Sequence, residues 1–135
     1  MLPKPLPKGE CTWYAWERAA ESGWEIKFDL PYGRHAKEWP KRVVNASLVN
    51  SPEKGDLLIL DAWPGNPYGH VAYVEEVKSP ESVVVTHANM KGGKEARKLD
   101  GVTVRRAEVS LGKGGAVFSK GSKPLPVIGF LRRAD

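Results

Sequence analysis

The chain carries one cysteine, Cys11, in 135 residues. A lone thiol excludes an internal disulfide framework and a cysteine-rich zinc site. Long apolar runs are also missing: nothing approaches the roughly 20 consecutive residues of a membrane-spanning helix, so no insertion in a membrane is expected. The opening Met1-Leu2-Pro3-Lys4-Pro5 lacks the basic and then apolar build of a signal peptide. No Asp-x-Asp-x-Asp run offers a calcium loop, and no metal is expected. Gly112-Lys113-Gly114-Gly115 lacks the lysine and hydroxyl placement of a phosphate-binding loop, so it reads as a plain turn, and no cofactor is expected. There is no internal repeat and no low-complexity tract.

Acidic residues are the minority, 16 against 21 Lys and Arg, for a net charge of +5. That excess attracts polyanions. The basic residues are nevertheless scattered, without an arginine-rich run or a nucleic-acid motif, so nucleic acid is not the expected partner; anionic cell-wall polymers fit the charge as well. With 41% apolar and 27% charged residues, the chain has the composition of an ordinary globular protein. Its length suits one domain. The expected organisation is a proline-rich extended lead-in over 1–8 and a single domain over 9–135, acting as a monomer.

The one cysteine stands in Gly9-Glu10-Cys11-Thr12-Trp13-Tyr14-Ala15-Trp16, at the start of a helix predicted over Cys11 to Ser22. Tyr14, Ala15, Arg18 and Ala19 share its face, and Gly23 stops the helix. A helix N-terminus favours a thiolate over a thiol, which marks Cys11 as a candidate nucleophile. Trp13, Trp16 and Trp39 sit in helical patterns and read as core. Residues 30–35 form a turn-rich connector in which His35 reads as a surface histidine. A short helical piece over 36 to about 39 follows, which Pro40 either ends or interrupts.

From Leu57-Leu58-Ile59-Leu60 onward the pattern is that of strands. The loop Trp63-Pro64-Gly65-Asn66-Pro67-Tyr68-Gly69 delivers His70 at the head of His70-Val71-Ala72-Tyr73-Val74. In Val83-Val84-Val85-Thr86-His87-Ala88-Asn89, alternation puts His87 and Asn89 on one face, where they can meet His70 on the neighbouring strand. Met90 to Gly101 reads as an exposed basic connection, followed by strands at 101–109 and 127–131. Asn45-Ala46-Ser47 fits a glycosylation acceptor by pattern only. Helices first and strands after argue an α+β fold with an antiparallel sheet.

Gly9-Glu10-Cys11-Thr12-Trp13-Tyr14, Gly55-Asp56-Leu57, Gly69-His70-Val71-Ala72, His87-Ala88-Asn89 and Ile128-Gly129-Phe130, taken in order, resemble the signposts of the CHAP family, the cysteine, histidine-dependent amidohydrolases/peptidases. The resemblance implies a papain-like domain with N-terminal helices packed on an antiparallel sheet of about five to six strands. It also implies an amide hydrolase, in most members one that cleaves peptidoglycan, either between N-acetylmuramic acid and L-alanine or within the peptide stem and cross-bridge. Such an enzyme acts outside the cytoplasm, in the cell wall, the periplasm or the medium. Cys11 would then be the nucleophile and His70 its base.

Two positions depart from the family pattern. Where members often carry Glu-x-Asn after the histidine strand, this chain has His87-Ala88-Asn89, so His87 stands in the place of the orienting glutamate and Asn89 in that of the asparagine. His87 is the favoured orienter of His70 and Asn89 its polar support. Where members frequently place glutamine before the nucleophile, this chain has Glu10, whose charge raises a neighbouring thiol pKa and can receive a substrate amine. Trp63 and Tyr68, flanking His70, are candidate substrate contacts by stacking. Three alternatives remain: an amidase of small peptide or polyamine conjugates, a wall-binding module that keeps the fold with weak catalysis, and, last, a nucleic-acid-binding domain.

Overall fold

The four residues of β2, Leu57–Leu60, are all fully buried, and the architecture follows from where they point. Leu57 and Ile59 face one core, with Val71, Tyr73 and Leu131. Leu58 and Leu60 face a second, with Ala72, Val74, Val83 and Phe130. A strand apolar at every position is one buried on both faces. The first core lies beneath helix α1, Cys11–Glu21, which contributes Trp13, Tyr14, Ala15 and Ala19. The second is closed by Ala116 and Phe118.

The computed structural model describes residues 6–29 and 35–134; most of the lead-in and the connector at 30–34 lie outside the described residues. Leu6 packs into the first core. After α1 come a 3-10 turn, Ala36–Glu38, and a four-residue helix α2, Trp39–Arg42. The strands are β1 Ala46–Val49, β2, β3 His70–Ser79, β4 Ser82–His87, β5 Lys94–Leu99, β6 Val102–Gly112, β7 Gly115–Val117 and β8 Val127–Arg133. They form one antiparallel sheet in the order β1-β8-β2-β3-β4-β6-β5, with β7 paired to β6.

The α+β class and the antiparallel sheet agree with expectation, but the sheet has eight strands rather than five to six. β1 and β5 account for much of the difference. Both are edge strands, and β5 is exposed at five of its six positions, so neither carries the apolar alternation by which a strand announces itself. Backbone pairing to β8 and β6 makes them strands. The helical part is correspondingly slighter, with α1 the one long helix among the described residues. Trp13 and Trp39 are buried as expected, whereas Trp16 is partly exposed and donates from its indole to the Ile26 carbonyl at 3.1 Å.

Gly55-Asp56 supports the fold. The Asp56 carboxylate is buried and accepts from Arg132 Nε at 3.1 Å and Nη2 at 2.9 Å, and from the Glu53 N–H at 2.7 Å. It thereby ties the entry of β2 to the end of β8 by charge-assisted bonds. Gly69 delivers the histidine. Its φ is +76°, and a Cβ there would run into the Leu60 carbonyl oxygen, so only glycine lets the loop turn this tightly into His70.

Candidate active site

Cys11 is the first residue of α1. The turn before it is set by Gly9 at φ +102° and by the Glu10 N–H donating to the Pro7 carbonyl at 3.2 Å. Glu10 occupies the N-cap, yet its side chain does not cap the helix. It accepts instead from Asn89 Nδ2 at 2.9 Å. The first-turn amides thus remain available as donors beside the sulfur.

β3 and β4 begin to pair only at Tyr73 and Thr86, so the two strands part at the end that carries His70 and His87. In this notch the thiol of Cys11 lies against the Val71 N–H, one residue beyond His70. His70 and His87 are both buried. Their rings stand edge to face, with His70 Nε2 2.9 Å from His87 Nδ1. The other nitrogen of His87, Nε2, is 3.1 Å from the Gly92 carbonyl oxygen.

These contacts settle the protons of the neutral rings. A carbonyl only accepts, so His87 Nε2 carries the hydrogen and His87 Nδ1 is the acceptor. His70 Nε2 must then donate, which leaves His70 Nδ1 unprotonated. Phe118 backs both rings, with centroids 6.0 Å from His70 and 5.2 Å from His87, and it keeps water from that side.

Burial pushes the Cys11 thiol up to about 11, with the Glu10 charge adding to it, while the backbone amides of Val71, Thr12 and Cys11 act in the opposite sense. Burial, and then the proximity of His87, holds His70 well below the ordinary histidine range. His87 is lowered to about 4 by burial, with the Arg105 charge adding to it and the Gly92 carbonyl opposing. At rest the thiol and both imidazoles are therefore neutral. A carboxylate in place of His87 would have favoured an ion pair; a second imidazole does not.

Buried neutral histidines also make the fold acid-sensitive. Between the unfolded value of 6.5 and the folded value of about 4 for His87, the unfolded chain binds the extra proton, so stability falls as pH drops through this window. The shift corresponds to about 3 kcal/mol for His87 alone. Thermal unfolding followed from pH 7.5 to 4 is expected to show a steadily falling midpoint, and His87→Gln is expected to flatten the slope.

The remaining sequence-predicted residues fall in two places. Asn89 does not continue the His87 face: β4 ends at His87, and Asn89 takes a left-handed φ of +62° that turns it to Glu10. Tyr68 is exposed and stacks on the exposed His35, with centroids 4.2 Å apart. Trp63 is partly buried against the second core. Sequence reasoning missed Gly92 and Phe118. Gly92 lay in a stretch read as mere connection, and Phe118 stands far along the chain with nothing local to associate it with a histidine.

The family description of the CHAP domain fits residues 2–89, a span that contains Cys11, His70 and His87. The chain belongs to the CHAP family. This CHAP domain is 38% identical over 87 residues to a probable autolysin, SsaALP, of Staphylococcus aureus, a match covering 63% of the chain and 31% of the relative. It is 33% identical over 93 residues to an N-acetylmuramoyl-L-alanine amidase domain-containing protein of the same species, covering 65% of the chain and 14% of the relative. The N-acetylmuramoyl-L-alanine amidase sle1 of Staphylococcus epidermidis is 36% identical over 87 residues, covering 60% and 24%. The chain thus spans less than a third of the length of these relatives. The crystal structure of Ly7917 has the same fold, with a TM-score of 0.62 at 18% identity over 96% of this chain and 55% of that one.

Proposed function

We propose that this CHAP domain hydrolyses an amide bond of peptidoglycan by thiol catalysis, with Cys11 as nucleophile, His70 as base and His87 as the group that orients His70. The observation that carries the reading is the hydrogen-bonded series Gly92 carbonyl, His87, His70. It leaves His70 Nδ1 free to accept a proton, on the ring next to the amide that holds the thiol. The peptidoglycan substrate follows from the amidase and autolysin relatives.

In this mechanism the sulfur attacks the scissile carbonyl carbon as its proton passes to His70 Nδ1. The oxyanion that forms takes hydrogen bonds from the amides at the start of α1, with that of Cys11 foremost. The intermediate collapses by breaking the C–N bond, and the leaving amine takes the proton from His70. Water then attacks the thioester, gives a proton to His70 Nδ1, and the C–S bond breaks. The sulfur recovers that proton. Because the pair rests neutral, proton transfer accompanies attack rather than preceding it.

Asn89 holds Glu10 at the mouth of the site, beside the nucleophile, where a carboxylate suits a substrate bearing an ammonium group. Tyr68, two residues before His70 and stacked on His35, presents an exposed aromatic surface for substrate, and Trp63 lies in the same loop. Action on the wall places the protein outside the cytoplasm.

Digestion of purified peptidoglycan by the wild type and by Cys11→Ala, with soluble fragments read by mass spectrometry, tests the proposal. Fragments released only by the wild type are expected, and their masses identify the bond as the muramoyl amide or a peptide bond. Equal release by Cys11→Ala would overturn the assignment.

A further inference from the structure

Behind the catalytic notch, on the α1 side of the sheet, lies a second set of polar groups that the reaction does not use. The Tyr14 hydroxyl donates to Thr86 Oγ1 at 2.7 Å, and Thr86 donates to Glu75 Oε2 at 2.7 Å. Arg18 grips the same carboxylate with two bonds, Nε to Oε2 at 2.8 Å and Nη2 to Oε1 at 2.9 Å. The guanidinium also lies over the Tyr73 ring, 4.4 Å from its centroid. From β5, Arg97 reaches across to Glu21 of α1 at 2.6 and 3.1 Å. Tyr14, Arg18, Glu21, Glu75, Thr86 and Arg97 line an open pocket of about 520 Å³.

The placement of the members is what matters. Tyr14 lies one helical turn after Cys11, Thr86 is the residue before His87, and Glu75 stands on the strand that His70 begins. Each element that carries a member of the catalytic trio therefore contributes one member to this network. α1 has no covalent neighbour in the sheet, and an apolar contact alone lets a helix slide by fractions of an ångström. Directional hydrogen bonds, buried between Tyr14 and Thr86 and partly buried at Glu75, do not.

The protonation states suit the task. Burial raises the Tyr14 phenol, so it stays a donor. Burial pushes the Glu75 carboxyl up, but the bonds from Arg18 and Thr86 outweigh this and hold it below the usual carboxylate range, so it stays an acceptor. Arg18 is raised by the same pairing with Glu75.

We infer that Tyr14, Thr86 and Glu75 form a positioning network that fixes the sulfur of Cys11 against the His70–His87 pair. The inference rests on the catalytic reading above. A misplacement of about 1 Å between reacting groups costs on the order of a hundredfold in rate, so loss of one bond of the network is expected to appear in kcat and to leave KM nearly unchanged.

The test uses Tyr14→Phe, Thr86→Val and Thr86→Ser in the full chain, with two readouts: hydrolysis of a soluble muropeptide and the rate of Cys11 alkylation by iodoacetamide against pH. Tyr14→Phe and Thr86→Val, at temperatures where circular dichroism reports them folded, are expected to lose about tenfold or more in kcat with KM within about twofold. Their alkylation at pH 7 should slow, because the imidazole no longer meets the thiol, and recover at high pH. Thr86→Ser keeps the hydroxyl and should return kcat to within about threefold of wild type. Unchanged kcat and alkylation in a folded Tyr14→Phe would overturn the network, as would equal behaviour of the valine and serine variants. Neither outcome touches the catalytic assignment, which is tested separately by hydrolysis in Cys11→Ala and His70→Ala.

Discussion

Replacing His70 with alanine is expected to lower turnover at pH 7 by about three to four orders of magnitude, while the fold survives. The size follows from the thiol. With its pKa near 11, about one molecule in ten thousand carries a thiolate at pH 7, so without a base the nucleophile is almost entirely in its inert form. General-base assistance is worth about a hundredfold to ten-thousandfold in such steps. The residual rate of His70→Ala should therefore climb nearly tenfold per pH unit between about pH 7 and 10, as hydroxide takes over deprotonation. The wild type should show no such dependence, because burial keeps His70 neutral at pH 7. Initial rates of muropeptide hydrolysis across this range decide the matter. Retention of activity within tenfold of wild type at pH 7 would remove His70 from the role of base.

How far the sequence discloses such a site depends on whether the signal is local. The helix opening at Cys11 and the strand opening at His70 are both written in short stretches of chain, by Gly9, by the loop ending in Gly69 and by apolar periodicity. Alternation along β4 places Thr86 on the opposite face from His87, and the structure has Thr86 bonded to Tyr14 on the α1 side. What alternation cannot supply is the partner, because Tyr14 and Thr86 are 72 residues apart. Asn89 is instructive in the opposite direction. The period of two carries it onto the His87 face only if the strand continues, and a left-handed residue at its end breaks the count. The edge strands β1 and β5 are invisible to periodicity because neither buries a face. Gly92 contributes to the site through a backbone carbonyl, which no side-chain pattern encodes.

Substituting His87 with glutamate is expected to change the charge state of the site rather than destroy it. A carboxylate facing His70 Nε2 favours the imidazolium, so the His70 pKa rises and that of Cys11 falls toward an ion pair. The surroundings suit the exchange: the Arg105 charge that disfavours protonated His87 would favour a glutamate there. Against it stands the Gly92 carbonyl, which now receives a hydrogen bond from His87 Nε2 and would face an acceptor instead. Coulomb attraction to a buried imidazolium outweighs the loss of one neutral hydrogen bond. Alkylation of Cys11 at pH 6–7 is thus expected to accelerate by tenfold or more, and the wild-type rise of alkylation toward pH 10 should give way to a plateau beginning near neutrality. Hydrolysis should be kept or raised at pH 7, while its acid limb, set in the wild type by protonation of His70, should move to higher pH, because the added carboxylate also favours the fully protonated Cys11–His70 pair. An unchanged alkylation profile, accompanied by loss of activity in Asn89→Ala, would transfer the orienting role to Asn89 and its contact with Glu10.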